Sequence, residues 1–219
     1  MLKRVLEPEV MDESDEVRAY DSMDHRAANT SFVDDLLCFC PSPGDVLDVG
    51  TGTAQIPVEL CRRTQNCRVM AADMSRAMLE QARYHIEVHG MIHRIQLDLG
   101  DANRMLYQDG MFDLVMCNGT LHHFAQPNGV LSEAVRVTAE GGCLFFRDLL
   151  RPPDEQQLER LVTTYAVGAT PAQQALLRQS LHASLNLTEM REQVAQLGFD
   201  PASVQATSDR HWTWCARKE

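Results

Sequence analysis

The run Val46-Leu47-Asp48-Val49-Gly50-Thr51-Gly52-Thr53-Ala54-Gln55-Ile56-Pro57 decides how the rest of the chain is read. Val46, Leu47 and Val49 form an apolar, branched stretch bounded by Pro41, Pro43 and Gly44, which predicts a short buried strand. Two glycines break it. From Ala54 to Arg63 the apolar residues Ile56, Val58, Leu60 and Cys61 follow a helical pattern. Strand, glycine turn and helix open a nucleotide-binding α/β unit, because glycine lets the backbone turn sharply and lets a ligand approach it. A dinucleotide fingerprint needs a third small residue three positions after the second glycine, and Gln55 stands there instead. Asp48 lies two residues before Gly50, and Ala54 takes the place of a last small residue.

Further strands follow, each with a polar group at its carboxyl end. The stretch from Cys67 to Ala72 reads as a second strand ending in Asp73-Met74, and Ser75 reads as the N-cap of a helix carrying Met78, Leu79, Ala82 and Ile86. An acid about 20 residues past a glycine turn is placed to accept hydrogen bonds from ribose hydroxyls. Ile92 to Leu99 reads as a third strand, ending in Gly100-Asp101-Ala102. Phe112-Asp113-Leu114-Val115 begins a fourth, which runs to Asn118 and is followed by His122-His123. Leu131, Val135 and Val137 mark a helix that Gly141-Gly142 is expected to end. Cys143 to Phe146 reads as a buried fifth strand leading into Arg147-Asp148 and Arg151-Pro152-Pro153.

The flanks are mainly helical. Between Glu9 and Cys40, Val17, Tyr20, Met23 and Ala27, then Phe32, Val33, Leu36 and Leu37, predict one or two helices. Tyr20-Asp21-Ser22-Met23-Asp24-His25 is dense in polar groups, which suits either a solvated face or a lid over a site. Asp154 caps a helical segment reaching Asn186, with a turn at Gly168 to Pro171. A helix at Thr188–Leu197, ended by Gly198, precedes closing strands at Val204–Thr207 and Trp212–Ala216.

Composition excludes several classes. With 219 residues, 44% hydrophobic and 23% charged, the chain suits one globular domain with a substantial core. A formal charge of −11, from 31 acids against 20 bases, disfavours nucleic acid and membrane surfaces as partners. No apolar run approaches the roughly 18 residues that span a bilayer, and no apolar segment follows Lys3-Arg4 as in a signal peptide. The seven cysteines are scattered without paired zinc-ligand spacing, so the expectation is a reducing cytoplasm and no metal.

Taken together, Asp48-x-Gly50-x-Gly52, Asp73, Asp101-Ala102 and Phe112-Asp113-Leu114-Val115 with Asn118 and His122-His123 resemble the class I (Rossmann-like) S-adenosylmethionine-dependent methyltransferases, small-molecule type. The resemblance runs from Val46 to about Leu150, roughly half the chain. It implies a seven-stranded, mostly parallel α/β sheet with helices on both faces, a helical cap over residues 1–40, a cofactor core over 41–150, a helical insert over 151–187 and a closing segment over 188–219. It implies a cofactor, S-adenosyl-L-methionine, held by Asp48, Gly50, Thr51, Gly52, Asp73, Met74, Asp101, Ala102 and Asn118, with S-adenosyl-L-homocysteine as product. His122 and His123 are candidate bases, since imidazole titrates near pH 6.5. Tyr20, Asp24 and His25 form a second group that a folded-over cap would bring in. Arg147 and Arg151 are candidate holders of an anionic substrate. The Asp/Asn-Pro-Pro-Tyr/Phe tetrad of amide- and base-nitrogen methylation is missing, since Asn118-Gly119-Thr120-Leu121 stands in its place. That favours a free small molecule as acceptor. The other readings are a silent cofactor-binding partner protein and a nicotinamide-dependent oxidoreductase. Gln55, Asp101 and Phe112-Asp113 argue against the second of these.

Overall fold

The structure, a computed structural model, describes residues 2–7 and 14–219, so the first part of the expected Glu9–Cys40 helical stretch lies outside the described residues. The chain divides into two compact units. One holds Val10–Asn118, Gly129–Phe146 and Cys215–Glu219, and the other holds Met1–Glu9, Gly119–Asn128 and Arg147–Trp214.

The larger unit is built on β1 (Asp45–Val49), whose residues 46–49 are all buried. A strand covered on both faces reads as an unbroken apolar run, and only Asp48 interrupts this one. It pairs in parallel with β2 (Arg68–Asp73) on one side and β4 (Phe112–Asn118) on the other, and β2 pairs in parallel with β3 (Ile95–Leu99). The register sets Val49 opposite Ala72, and Asp73 opposite Leu99. The carboxyl ends of these strands therefore line up. Asp113 fixes the opposite edge, its Oδ2 accepting the Asp45 N–H at 2.8 Å.

Two helices, α1 (Ser14–Asp21) and α2 (Arg26–Phe39), precede β1. Buried Phe32, Val33 and Leu36 of α2 join Val46, Val69, Leu114 and Phe145 in the core, with Phe32 edge-on to Phe145 at 5.1 Å between ring centroids. Next come α3 (Gln55–Arg63) and α4 (Arg76–Val88), the latter capped by Ser75, whose hydroxyl accepts the Met78 N–H at 3.1 Å. Cys61, Cys67, Cys117 and Cys143 are buried and free; Cys67 Sγ has polar partners, with Thr64 Oγ1 at 2.8 Å and an Arg94 guanidinium nitrogen at 3.1 Å, and contacts with Cys61, Thr64 and Arg94 draw its thiol down.

Two boundaries differ from the sequence reading. β3 starts at Ile95 rather than Ile92, because Met91 to Arg94 forms a turn closed by Arg94 N–H to the Met91 carbonyl at 2.9 Å. After α5 (Asn128–Val137), β5 runs without a break from Thr138 to Leu149, so Gly141-Gly142 lies inside a strand rather than stopping the helix.

In the smaller unit, α6 (Glu155–Tyr165) and α7 (Pro171–Ala183) pack through Leu158, Leu161, Val162 and Leu181. Asp154 caps α6, while Thr170 and Gln173 form a reciprocal capping box at α7 with Pro171 at its first position. Then α8 (Leu187–Gln196) leads to the antiparallel pair β6 (Val204–Ala206) and β7 (His211–Arg217), in which Val204 faces Trp214 and Ala206 faces Trp212. Residues 2–7 run extended, with Leu2 N–H on the Pro153 carbonyl and Val5 N–H on that of His182. The sheet has seven strands in the order β3-β2-β1-β4-β5-β7-β6.

Gly142 has no room for a side chain. A Cβ there would lie 2.8 Å from the Ala139 carbonyl oxygen, 2.8 Å from Thr138 Cγ2 and 3.1 Å from the Asp113 carbonyl oxygen. Gly142→Ala is expected to cost about 1–3 kcal/mol in a urea titration, the range of overpacking changes. An unchanged midpoint would show that the strand yields at this point.

Candidate cofactor site and histidine cluster

The turn after β1 uses the left-handed conformation three times within five residues, with φ of 70° at Gly50, 55° at Gly52 and 58° at Ala54. Glycine takes that conformation freely, whereas alanine takes it at a cost of roughly 1–2 kcal/mol. A Cβ added at Gly52 would meet nothing within 4 Å, so this backbone borders open space. The end of β2 holds the turn. The Ala72 carbonyl accepts both the Gly50 and Thr51 N–H groups, at 2.9 and 3.0 Å. Asp73 accepts the Gly52 N–H on Oδ2 at 2.8 Å and the Ser75 N–H on Oδ1 at 2.9 Å.

Asp48 is 3% exposed, and among the described residues no base pairs with it. Burial pushes its carboxyl up to about 7, and the nearby charge of Asp73 adds to the rise. Met74 is exposed beside this turn. At the end of β3, Asp101 is exposed and accepts the Asn103 backbone and side-chain N–H groups at 2.8 and 3.1 Å, with half-buried Ala102 next to it. Asn118, half-buried, ends β4. The nine expected cofactor residues thus all lie in the larger unit, at or just beyond the carboxyl ends of four adjacent strands.

Sequence reasoning missed the group that ties α1 to this edge. The Asp21 carboxylate takes the Gln55 amide at 2.9 Å, the Gln81 amide at 2.8 Å and His85 Nε2 at 2.9 Å. Burial raises the Asp21 carboxyl, but hydrogen bonds from His85, Thr53 and Gln55 more than offset that and hold it below the usual range. Gln55, the misfit in the dinucleotide pattern, therefore has its own work: it bonds Asp21 and accepts the Asn29 amide at 3.1 Å. The polar run from Tyr20 to His25 was the available signal, but which residues Asp21 would meet depends on the packing of α1 against α4.

Tyr20 stacks on His25 with ring centroids 4.6 Å apart, and His25 Nε2 lies 2.9 Å from the Tyr20 carbonyl oxygen. Burial, aided by the charges of Asp21 and Asp73, raises the Tyr20 phenol. The structure thus places Tyr20 within electrostatic reach of the ribose-binding candidate. Asp24 is exposed and bound to Arg26 Nε at 3.2 Å, a contact that draws its carboxyl down.

In the smaller unit, His122 and His123 sit on a single 3-10 turn, Leu121–His123. His122 is buried, and its Nδ1 lies 2.7 Å from Asp148 Oδ1 while its backbone N–H donates to Asp148 Oδ2 at 3.0 Å. Burial disfavours the charged ring, but Asp148 and Glu7 outweigh it and raise the His122 imidazole. Glu7 contacts both rings, at 2.6 Å to His123 Nδ1 and 3.9 Å to His122 Nε2. Arg147 and Arg151 are buried and bonded internally: Arg147 Nε donates to Thr213 Oγ1 at 2.9 Å, and Arg151 binds the Ser184 carbonyl and Glu189. Asp148 is thus the partner of His122, and neither arginine is presented as an open anion holder.

A family profile described as a methyltransferase domain matches residues 42–205. The chain belongs to this methyltransferase family, of the class I S-adenosylmethionine-dependent kind. It is 28% identical over 155 residues to ajmaline N-methyltransferase of Rauvolfia serpentina, covering 63% of this chain and 53% of that protein. It is also 28% identical over 132 residues to the ubiquinone/menaquinone biosynthesis C-methyltransferase of a Ruegeria species, covering 60% and 52%. The chain spans about half the length of these curated relatives. Its fold matches the plantazolicin methyltransferase BpumL, solved with a desmethyl-plantazolicin analogue and S-adenosylhomocysteine, at a TM-score of 0.70 and 14% identity over 94% of this chain and 91% of that one. Among the described residues, no helix is long and apolar enough to cross a membrane.

The elevated Asp48 carboxyl gives a signed expectation. Between the ordinary aspartate range near 4 and about 7 the folded state holds a proton that the unfolded state has released. Stability without ligand therefore falls as pH rises through that window, by at most about 1.4 kcal/mol per pH unit. Asp48→Asn is expected to flatten this dependence and to raise Tm at pH 7.5. A wild-type Tm that does not fall between pH 5 and 7 relative to the variant would show that Asp48 ionises normally.

Proposed function

We propose that this chain transfers the methyl group of S-adenosyl-L-methionine to a small-molecule acceptor by in-line displacement. The observation that carries the reading is Asp48: a buried carboxyl beside the bare Gly52 turn and near Asp73, with no base paired to it among the described residues. A ligand carrying an ammonium and a sulfonium would supply the missing positive charge. In this reading Asp48, Gly50, Thr51, Gly52 and Asn118 hold the methionine end, Asp73 with Met74 the ribose, and Asp101 with Ala102 the adenine. The bound sulfonium brings an already activated methyl, so the protein's work is to place the acceptor atom in line, exclude water and take up any proton released.

Two residues of the N-terminal helices suit that work. Tyr20, its phenol raised, stays protonated at neutral pH and orients an acceptor as a hydrogen-bond donor. His25 donates its Nε2 proton to the Tyr20 carbonyl, which leaves a lone pair on Nδ1 of the neutral ring and makes His25 our candidate base. His122 instead uses Nδ1 on Asp148. The acidic charge and the relatives' names support a small-molecule acceptor, since ajmaline and ubiquinone/menaquinone precursors are small molecules. They support the acceptor class rather than a particular acceptor.

Calorimetric titration with S-adenosyl-L-methionine tests the binding half, and isotopic methyl transfer to a metabolite pool tests the chemistry. Asp73→Asn is expected to lose about 1.5–3 kcal/mol of cofactor affinity, the worth of hydrogen bonds to a charged acceptor. An unchanged Kd in a folded variant would remove Asp73 from the site.

We further propose that α1 acts as a lid fastened by Asp21. Cofactor binding should then slow hydrogen exchange across α1, and Asp21→Ala should abolish that protection and weaken retention of the cofactor. Equal exchange in both states would leave the polar run at Tyr20 to His25 a solvated face.

A further inference from the structure

We propose that Glu7, His122 and His123 form a binding site for one divalent transition-metal ion, of the kind bound by two imidazoles and a carboxylate. Each residue offers one donor atom, and the three atoms lie within 4.8 Å of one another. All three come from one compact unit. Two nitrogen ligands and one oxygen ligand match both catalytic zinc sites and the two-histidine, one-carboxylate sites of iron, each of which leaves coordination positions open.

The hydrogen bonding around His122 points the same way. Asp148 Oδ1 lies 2.7 Å from Nδ1 and holds a proton there, so Nε2 supplies the lone pair when a metal ion takes the place of its own proton. That nitrogen faces the Glu7 carboxylate across 3.9 Å, too long for a direct hydrogen bond. A carboxylate on the far nitrogen is also the usual support of a metal-bound histidine, because it fixes the tautomer and makes the ring a better donor.

The remaining supports hold the ligands still. The Ser180 hydroxyl donates to Glu7 Oε1 at 2.6 Å. Arg4, three residues before Glu7, donates to the carbonyls of His122 and Phe124, at 3.3 and 2.8 Å, and to that of Ala183 at 2.6 Å. One extended segment thus delivers the carboxylate and clamps the turn that carries both rings. Metal–ligand bonds near 2.1 Å place neighbouring donor atoms about 3.0–3.4 Å apart. The Glu7–His123 contact at 2.6 Å must open to reach that spacing, and the Glu7–His122 separation at 3.9 Å must close. The site is not legible in the sequence, because Glu7 lies more than a hundred residues from His122 and His123 in the chain.

The test uses the full-length chain, stripped with chelator and titrated with Co²⁺, whose visible absorption reports nitrogen and oxygen ligation. One Co²⁺ per chain is expected, displaced by Zn²⁺, and Zn²⁺ should raise the Tm. Glu7→Gln and His123→Ala should each weaken binding at least about tenfold and together remove it, while His93→Ala, at an exposed histidine elsewhere, leaves it intact. Asp148→Asn should weaken it about 10–100-fold, as loss of an outer-shell partner does. Circular dichroism of each variant separates lost binding from lost fold. Absence of stoichiometric Co²⁺ binding, or binding that survives in a folded Glu7→Gln/His123→Ala double variant, overturns the proposal and leaves a hydrogen-bonded cluster only.

Discussion

Three hydrogen bonds from one turn to the end of one strand set the geometry on which the cofactor edge depends. The Ala72 carbonyl takes the Gly50 and Thr51 N–H groups, and the Asp73 carboxylate takes that of Gly52. A turn that enters the left-handed region at Gly50, Gly52 and Ala54 leaves its N–H groups without the partners a helix would give them, and buried donors left unpaired cost about 1–3 kcal/mol each. The neighbouring strand supplies those partners. Because β2 pairs with β1 in register up to Val49 and Ala72, any slip of that pairing would move Asp73 away from Gly52 and release the turn. Fold and site are fixed by the same contacts.

The same edge concentrates negative charge, and each acid there is handled differently. Asp73 is held by backbone donors, and Asp21 by two amides and a histidine. Asp48 is buried beside a repelling neighbour, Asp73, and its carboxyl rises to about 7. An acid that could have been leucine for the sake of the core stays in the buried part of β1, between Leu47 and Val49. The cost of burying it is understandable when a cationic ligand completes the environment, which is how a binding site stores affinity in the free protein.

The parallel sheet and its site-bearing ends were legible in the sequence because buried strands announce themselves as short apolar runs and polar residues end them. Gly50, Asp73, Asp101 and Asn118 were put at strand ends by that logic, while the cofactor roles of these residues and of Asp48 came from the family resemblance. What lay beyond reach were contacts between residues far apart in the chain. Arg147 and Arg151 read as free cations until Thr213, Ser184 and Glu189 folded against them. Gly141-Gly142 read as a helix stop, since glycine ends helices more often than it sits in strands; the crowding by Thr138, Ala139 and Asp113 that requires it there is tertiary.

The N-terminal stretch shows how a segment with little apolar content is retained. Residues 2–7 have few buried side chains, and Val5 and Leu6 are exposed, so hydrophobic burial does little to hold them. They are held by polar contacts instead, with Arg4 on the carbonyls of His122, Phe124, Ala125 and Ala183 and Glu7 on Ser180 and His123. The end of α1 is held in the same way, by Asp21. Polar contacts of this kind contribute roughly 1–3 kcal/mol each where a charge is involved, and they are lost when one partner moves. A segment fastened so is firm when every partner is in place and released when a few are not, whereas a core helix such as α2 stays anchored through Phe32, Val33 and Leu36 whatever happens to any one polar group. Residues 2–7 and the end of α1 therefore each depend on a few polar partners, whereas α2 depends on none.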